Sequence, residues 1–192
     1  RFGGVQWTTN FSTQPGFIAF PLPAVSGEAA LPSTVDLYVN SALRMSREVP
    51  SGPFSIQDLP VTTGQGDARL VVRDILGREQ VITQPFYATP RLLKPGLQEY
   101  SYELGFVRRN FGADSNNYGR PLAVGTHRLG ITKQFTGELH GELLGHQQTL
   151  GLGGVLMLPA AGVLSGSFAA SHSDRGVGGL LELGLQRQGR SF

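Results

Sequence analysis

The sequence predicts an all-β chain: a small β-sandwich module inserted between long antiparallel strands patterned like the wall of a transmembrane β-barrel. Three observations predict it. First, the 192 residues include 27 Gly, 12 Pro and no Cys, with only 16% charged residues, against about 25% charge and 7% Gly in an average soluble domain. Gly costs roughly 1 kcal/mol in a helix interior, so a helical bundle is a poor fit. Second, composition changes at Gly96. Residues 1–96 hold 10 of the 12 prolines, whereas residues 97–192 hold 18 of the 27 glycines. Third, the Gly-rich half alternates over stretches of about ten residues, the length of a membrane strand rather than the 5–6 residues common in globular proteins. A soluble all-β sheet also alternates; strand length favours the barrel wall.

The elements follow in order. Residues 1–10 and 16–25 read as strands, with Pro21 and Pro23 placing part of the second at an edge. Residues 34–40 read as a strand with Val35, Leu37 and Val39 on one face and Asp36, Tyr38 and Asn40 on the other. The run Pro50-Ser51-Gly52-Pro53-Phe54 reads as a corner, because proline gives a ladder no N–H, and Phe54 anchors it in the core. Residues 68–73 and 78–83 flank Asp74-Ile75-Leu76-Gly77. This spacing predicts a hairpin closed by a type I turn with Gly77 in the left-handed region. Asp74 and Arg78 are then either solvated turn charges or a latch. Residues 33–90 together form one small module.

The second half has another rhythm. Over residues 98–107 the even positions Gln98, Tyr100, Tyr102, Leu104 and Phe106 alternate with Glu99, Ser101, Glu103, Gly105 and Val107. Residues 135–145 alternate Phe135, Gly137, Leu139, Gly141 and Leu143 with Thr136, Glu138, His140 and Glu142. Residues 178–188 alternate Leu181, Leu183 and Leu185 with Glu182, Gly184 and Gln186. Residues 122–131 and 164–172 are further strands, and 149–158 is a strand apolar on both faces.

Several chemistries are excluded. Without Cys there is no disulfide, thiolate metal site or Cys nucleophile. His140 and His146 are expected on one strand face, but a metal needs three or four converging ligands. Ser171-His172-Ser173-Asp174 has triad residue types, yet neighbours in sequence cannot converge as a triad does. Gly151-Leu152-Gly153-Gly154 lacks the Lys-Ser/Thr of a phosphate loop. No catalytic, metal or cofactor residues are assigned. A formal net charge of +2 demands no nucleic-acid partner.

Several runs are more specific: Leu31 to Asn40, Val49 to Phe54, Leu70 to Gln80, Thr83 to Tyr87, Tyr100 to Gly105 and Arg108 to Gly112. Together they resemble the outer-membrane ushers of the chaperone–usher pilus pathway. The resemblance spans nearly the whole chain and is strongest over 30–112. It implies barrel strands over 1–30, a plug domain over 31–92 and further barrel strands over 93–192. It also implies a fragment, since the expected five to eight strands cannot close a channel wide enough for folded subunits. The implied role is non-enzymatic: translocation and assembly of pilus subunits delivered by a periplasmic chaperone, with the plug gating the channel. The implied location is the outer membrane of a Gram-negative bacterium, with the plug in the barrel lumen or periplasm. Partners are chaperone–subunit complexes and outer-membrane lipid, with no nucleic acid and no small-molecule substrate. Plug and gating candidates are Tyr38, Pro50, Gly52, Pro53, Phe54, Asp74, Gly77 and Arg78. Glu99, Ser101, Glu103, Glu182 and Gln186 are expected to face the lumen, and Tyr100, Tyr102 and Phe106 the lipid. The alternative is a secreted soluble β-sandwich adhesive or carbohydrate-binding protein, which would bury Tyr100, Tyr102, Leu181 and Leu183.

Overall fold

A computed structural model describes residues 2–110, 112–113, 116–158, 162–187 and 189. Arg1, Phe111, the stretch 159–161 and Gln188 lie outside the described residues. The chain divides into two compact units. One takes in the stretch up to Ala19 together with Arg91–Leu158 and Val163–Gln186; the other is built on Phe20–Pro90. We refer to them as the wall and the insert.

The wall begins with β1 (Phe2–Thr8). A single 3₁₀ turn, Phe11–Thr13, follows, capped by the Asn10 side chain, which accepts from the Ser12 N–H at 3.0 Å. The strand expected over 16–25 does not form. Gly16 takes φ +83°, and Pro21 and Pro23 have no N–H for a ladder. The chain instead enters the insert at Phe20, earlier than the boundary near residue 31 that the sequence suggests.

The insert contains β2 (Val25–Ala29), β3 (Ser33–Val39), β4 (Ala42–Val49), β5 (Gly52–Ile56), β6 (Gly64–Asp74) and β7 (Glu79–Ala88). β4-β3-β6-β7 form one sheet and β2-β5 another. The expected corner at Pro50 to Phe54 is only half right. Pro50 and Ser51 turn the chain, but Gly52, Pro53 and Phe54 start β5 opposite Ala29, Glu28 and Gly27. Pro53 is tolerated because β5 pairs on one side only, as proline in a sheet requires. Strand β3 has the expected faces: Val35, Leu37 and Val39 are buried and Tyr38 is half-buried. They join Val25, Ile56, Leu59, Leu70, Val72 and Phe86 in one closed core, with Phe54 packed against it. Two glycines make room for aromatic rings. A Cβ on Gly27 would stand 2.6 Å from Phe54 Cζ, and one on Gly66 2.4 Å from Phe86 Cζ.

The wall resumes with β8 (Gln98–Arg108), β9 (Tyr118–Gly130), β10 (Phe135–Leu144), β11 (Gln147–Leu158), β12 (Gly162–Ser173) and β13 (Gly176–Gln186). These six strands match the six segments expected after Gly96 and run 10 to 13 residues each. The seven-stranded sheet has the order β1-β8-β9-β10-β11-β12-β13. Thus β1 and β8, separated by the whole insert, are neighbours, paired from Phe2↔Val107 to Thr8↔Ser101. Turns of two residues join β10 to β11 and β12 to β13. His146 lies in the first of these, so it does not share a strand face with His140 as expected.

Candidate functional site: a two-faced wall and its insert

The antiparallel registers sort the wall side chains onto two faces. On one, Trp7 stands opposite Tyr102, Val5 opposite Leu104, Tyr100 opposite His127 and Leu139 opposite Leu152. Trp7 meets Tyr100 edge-on at 5.4 Å, and Tyr100 stacks on Tyr102 at 5.4 Å. The Tyr102 hydroxyl shares a 2.6 Å hydrogen bond with His127 Nδ1. Leu104, Phe106, Leu143, Leu150 and Phe168 of this face are exposed. Among the described apolar residues of the wall, only Leu92, Leu93 and Val163 are buried. The strand β11, apolar on both faces by sequence, resolves here: Leu150, Leu152 and Leu156 take the apolar face, with Gly151 and Gly153 on the other.

The opposite face is polar and hydrogen-bonded. Gln6 Nε2 donates to Glu103 Oε1 at 3.0 Å and to Ser101 Oγ at 3.3 Å. The Arg128 guanidinium pairs with Glu99 through Nη1, with Glu138 through Nε at 3.5 Å, and donates from Nη2 to the Arg91 carbonyl at 2.7 Å. His140 bonds Thr126 Oγ1 at 2.9 Å and Glu142 at 3.0 Å. Glu182 stands opposite Ser167, and Gln186 opposite Val163. Glu99, Ser101, Glu103, Glu182 and Gln186 therefore share one face, and Tyr100, Tyr102 and Phe106 the other. No three acidic or histidine side chains converge as metal ligands among the described residues.

Sequence reasoning missed Gln6, Trp7, His127 and Arg128 as members of these two faces. The signal was present: Val5-Gln6-Trp7-Thr8 alternates, and so does His127-Arg128. What was lacking was the register that sets Gln6 beside Glu103 and Arg128 between Glu99 and Glu138.

The insert candidates separate into three places. Pro50 and Asp74 line one groove of about 540 Å³ with Pro32, Glu48 and Arg73. Tyr38 lies elsewhere, under the Arg69 guanidinium at 4.8 Å. Phe54 is packed against the core. The β6–β7 turn forms as expected. Gly77 has φ +79°, its N–H donates to the Asp74 carbonyl at 3.0 Å, and the Asp74 N–H donates to the Arg78 carbonyl at 3.0 Å.

Asp74 and Arg78 pair with each other, Nε to Oδ2 at 2.7 Å. Partial desolvation pushes the Asp74 carboxyl up, but it is outweighed. The Arg78 N–H and side chain and the Leu76 N–H together hold it below its ordinary value of 3.8. A depressed carboxylate stabilises the fold above its unfolded value, and that contribution disappears as pH falls through the folded value. The Leu76 and Arg78 amide resonances are therefore expected to titrate together below pH 3.8, and Asp74→Asn should abolish that shared transition. Independent titration of the two amides would contradict this account of the turn.

The turn residues Ile75 and Leu76, between these charges, are exposed. In the wall, the exposed Leu181 and Leu183 and the half-buried Tyr100 do not fit the burial that a soluble adhesive sandwich requires.

The profile of the outer membrane usher proteins matches residues 1–180. The chain belongs to the outer membrane usher family. It is 30% identical over 166 residues to the usher YraJ of Escherichia coli K12, covering 85% of this chain and 19% of that protein. It is 27% identical over 155 residues to the usher FasD of Escherichia coli, covering 80% and 18%. It is 29% identical over 154 residues to the F1 capsule-anchoring protein of Yersinia pestis, covering 79% and 17%. The chain thus spans less than a fifth of the length of these relatives. Its fold is similar to part of the E. coli P pilus tip assembly intermediate PapC-PapD-PapK-PapG, with TM-score 0.65 and 22% identity over 97% of this chain and 23% of that one. For this usher chain, family and fold agree: long wall strands interrupted by one compact β insert.

Proposed function

We propose that the wall is an arc of an outer-membrane barrel and that the insert is the plug that gates its channel. The channel's cargo is then pilus subunits delivered by a periplasmic chaperone, and the usher exports and assembles them. The observation that supports this best is the two-faced wall. Strands of 10 to 13 residues expose leucines and aromatics on one side and carry a hydrogen-bonded charged network on the other. In hydrocarbon the apolar side needs no cover, and the polar side needs water.

In this reading Glu99, Ser101, Glu103, Glu182 and Gln186 face the lumen. Tyr100, Tyr102 and Phe106 face lipid, and the Trp7–Tyr100–Tyr102 cluster adds an aromatic girdle at the interface. The insert has its own closed core, so it can move as one body. Its gating candidates lie at the Pro50–Asp74 groove and on the polar sheet face at Tyr38. No covalent step and no cofactor enters this role.

The test is removal of the plug. Ala19 O accepts from Lys94 N at 2.7 Å, so the two chain crossings are adjacent and a short Gly-Ser linker can replace residues 20–90. The full-length usher carrying that deletion is expected to conduct ions continuously in a planar bilayer, where the parent stays mostly closed. Equal conductance would reject the plug assignment.

A further inference from the structure

Within the wall, the antiparallel registers line up side chains in rows across the apolar face. One row runs Tyr100–His127–Leu139–Leu152. Two residues along each strand, the next runs Tyr102–Gly125–Gly141–Leu150, and the one after it Leu104–Ala123–Leu143–Gln148. The middle row lacks two side chains. The Tyr102 ring leans over Gly125, where a Cβ would stand 3.2 Å from Tyr102 Cδ1, and nothing lies within 4 Å of a Cβ placed at Gly141. The result is a groove of about 690 Å³, bounded by Tyr102, Leu104, Leu143 and Leu150 and floored by Gly125 and Gly141. That is the size of a small-molecule site.

The polar groups at the rim select the occupant. The row before the groove carries Tyr100 and His127, and Trp7 packs edge-on against Tyr100 and Tyr102 at 5.4 and 6.3 Å. His127 Nδ1 shares its hydrogen bond with the Tyr102 hydroxyl, which leaves Nε2 for a ligand. With the Tyr102 hydroxyl as donor, Nε2 carries the ring proton. The Trp7 indole N–H only donates, and the Tyr100 hydroxyl donates as well. Such a rim suits a ligand whose polar part accepts, as ester carbonyls and a single phosphate do. Among the described residues no Lys or Arg lines the groove, and the several phosphates of lipid A call for such cations. We propose that the groove holds an acyl chain of a glycerophospholipid, with its ester and phosphate oxygens at Trp7, Tyr100 and His127. The levels agree. Trp and Tyr settle at the membrane interface, and the groove begins one row, about 7 Å, further along the strands. In hydrocarbon no hydrophobic effect drives such a contact, so retention rests on packing in the gap and on these donors.

This inference rests on the reading of the wall as an arc of the barrel, and the experiment separates the two. The full-length usher is purified in mild detergent and weighed by native mass spectrometry, then stripped of lipid and titrated with dioleoyl phosphatidylethanolamine. The parent should carry a phospholipid adduct and regain it in the titration. Gly141→Leu fills the gap, where its Cβ meets no neighbour, and should lose both. His127→Phe keeps a ring but removes the donor, and should weaken the titrated affinity about 5-fold, the worth of one net hydrogen bond. Each variant is checked for the heat-resistant folded band on electrophoresis. If Gly141→Leu fails to assemble, His127→Phe decides. Leu183→Arg tests the wall itself. Leu183 is exposed on the same face, outside the groove, and a charge there in hydrocarbon should cost the usher its folded band and its outer-membrane yield. Where Leu183→Arg fails to assemble, a parent with no adduct, with only detergent or lipid A, or with a dimer that Gly141→Leu disperses overturns the groove and leaves the wall reading intact. Equal phospholipid binding by the parent and the assembled groove variants does the same. Normal assembly of Leu183→Arg overturns both.

Discussion

Gly105→Val is expected to break the pairing of β1 with β8 and to prevent the wall from assembling. A Cβ at Gly105 would lie 2.4 Å from Gly3 O and 2.8 Å from Gly4 Cα, and one at Gly4 would lie 2.0 Å from Leu104 O. These are backbone atoms of a paired strand, so no side chain can rotate away to relieve the overlap. Overpacking against movable neighbours already costs about 1–3 kcal/mol; here the alternative is loss of the ladder. The lost ladder joins the strands on either side of the insert, and in a membrane each unpaired backbone group costs several kcal/mol. The full-length usher carrying Gly105→Val should therefore lose its heat-resistant folded band and its outer-membrane yield. Gly141→Ala is the control. Nothing lies within 4 Å of the place its added methyl group would take, so it should assemble like the parent. Normal assembly of Gly105→Val would show that β1 and β8 can separate without cost.

Leu37→Ala is expected to destabilise the insert by about 2–5 kcal/mol, the cost of a large cavity in a packed core. Leu37 is fully buried at the centre of β3, between paired β4 and β6. A domain of this size has about 5 kcal/mol or little more to lose, so a loss at the upper end of that range leaves the variant largely unfolded at 37 °C. Urea denaturation of residues 20–90, followed by far-UV circular dichroism, measures the shift. Val81→Ala, on an exposed side chain of β7, should stay within about 0.5 kcal/mol. In the full-length usher, Leu37→Ala should leak as the deletion does, because an unfolded insert cannot seat. A parental urea midpoint for Leu37→Ala would mean that this core is not what holds the insert together.

Much of the architecture is legible in the sequence because β periodicity is local. Tyr100, Tyr102 and Phe106 alternate with Glu99, Ser101 and Glu103 within eight residues, and two faces follow from the pleat alone. The β6–β7 hairpin is equally legible, since Asp74 and Gly77 specify their turn by short-range chemistry. Errors fall where partners are distant. Pro53 reads as a corner residue because a proline excludes a central strand, and its sequence does not say that β5 has a free edge. Residues 16–25 read as a wall strand, and β2, beyond it, as part of the approach. In the structure, β2 pairs with β5 across more than twenty residues.

The contacts of residues 91–97 with the wall show the same limit more strongly. Gly130, Thr136 and Arg128 are ordinary members of alternating strands, and nothing near them in sequence marks a binding surface. Their contacts with residues 91–97 appear only in the folded chain. By itself, the sequence determined the strand lengths, the two faces of each strand, the tight turns and the existence of an inserted module, because each depends on residues within about ten positions. The tertiary structure alone decided that β1 pairs with β8 across the insert, where the insert begins, and which polar groups meet on the wall. Those outcomes depend on register between strands up to about a hundred residues apart, and register is set by the joint fit of backbone hydrogen bonds and side-chain packing, not by any single segment.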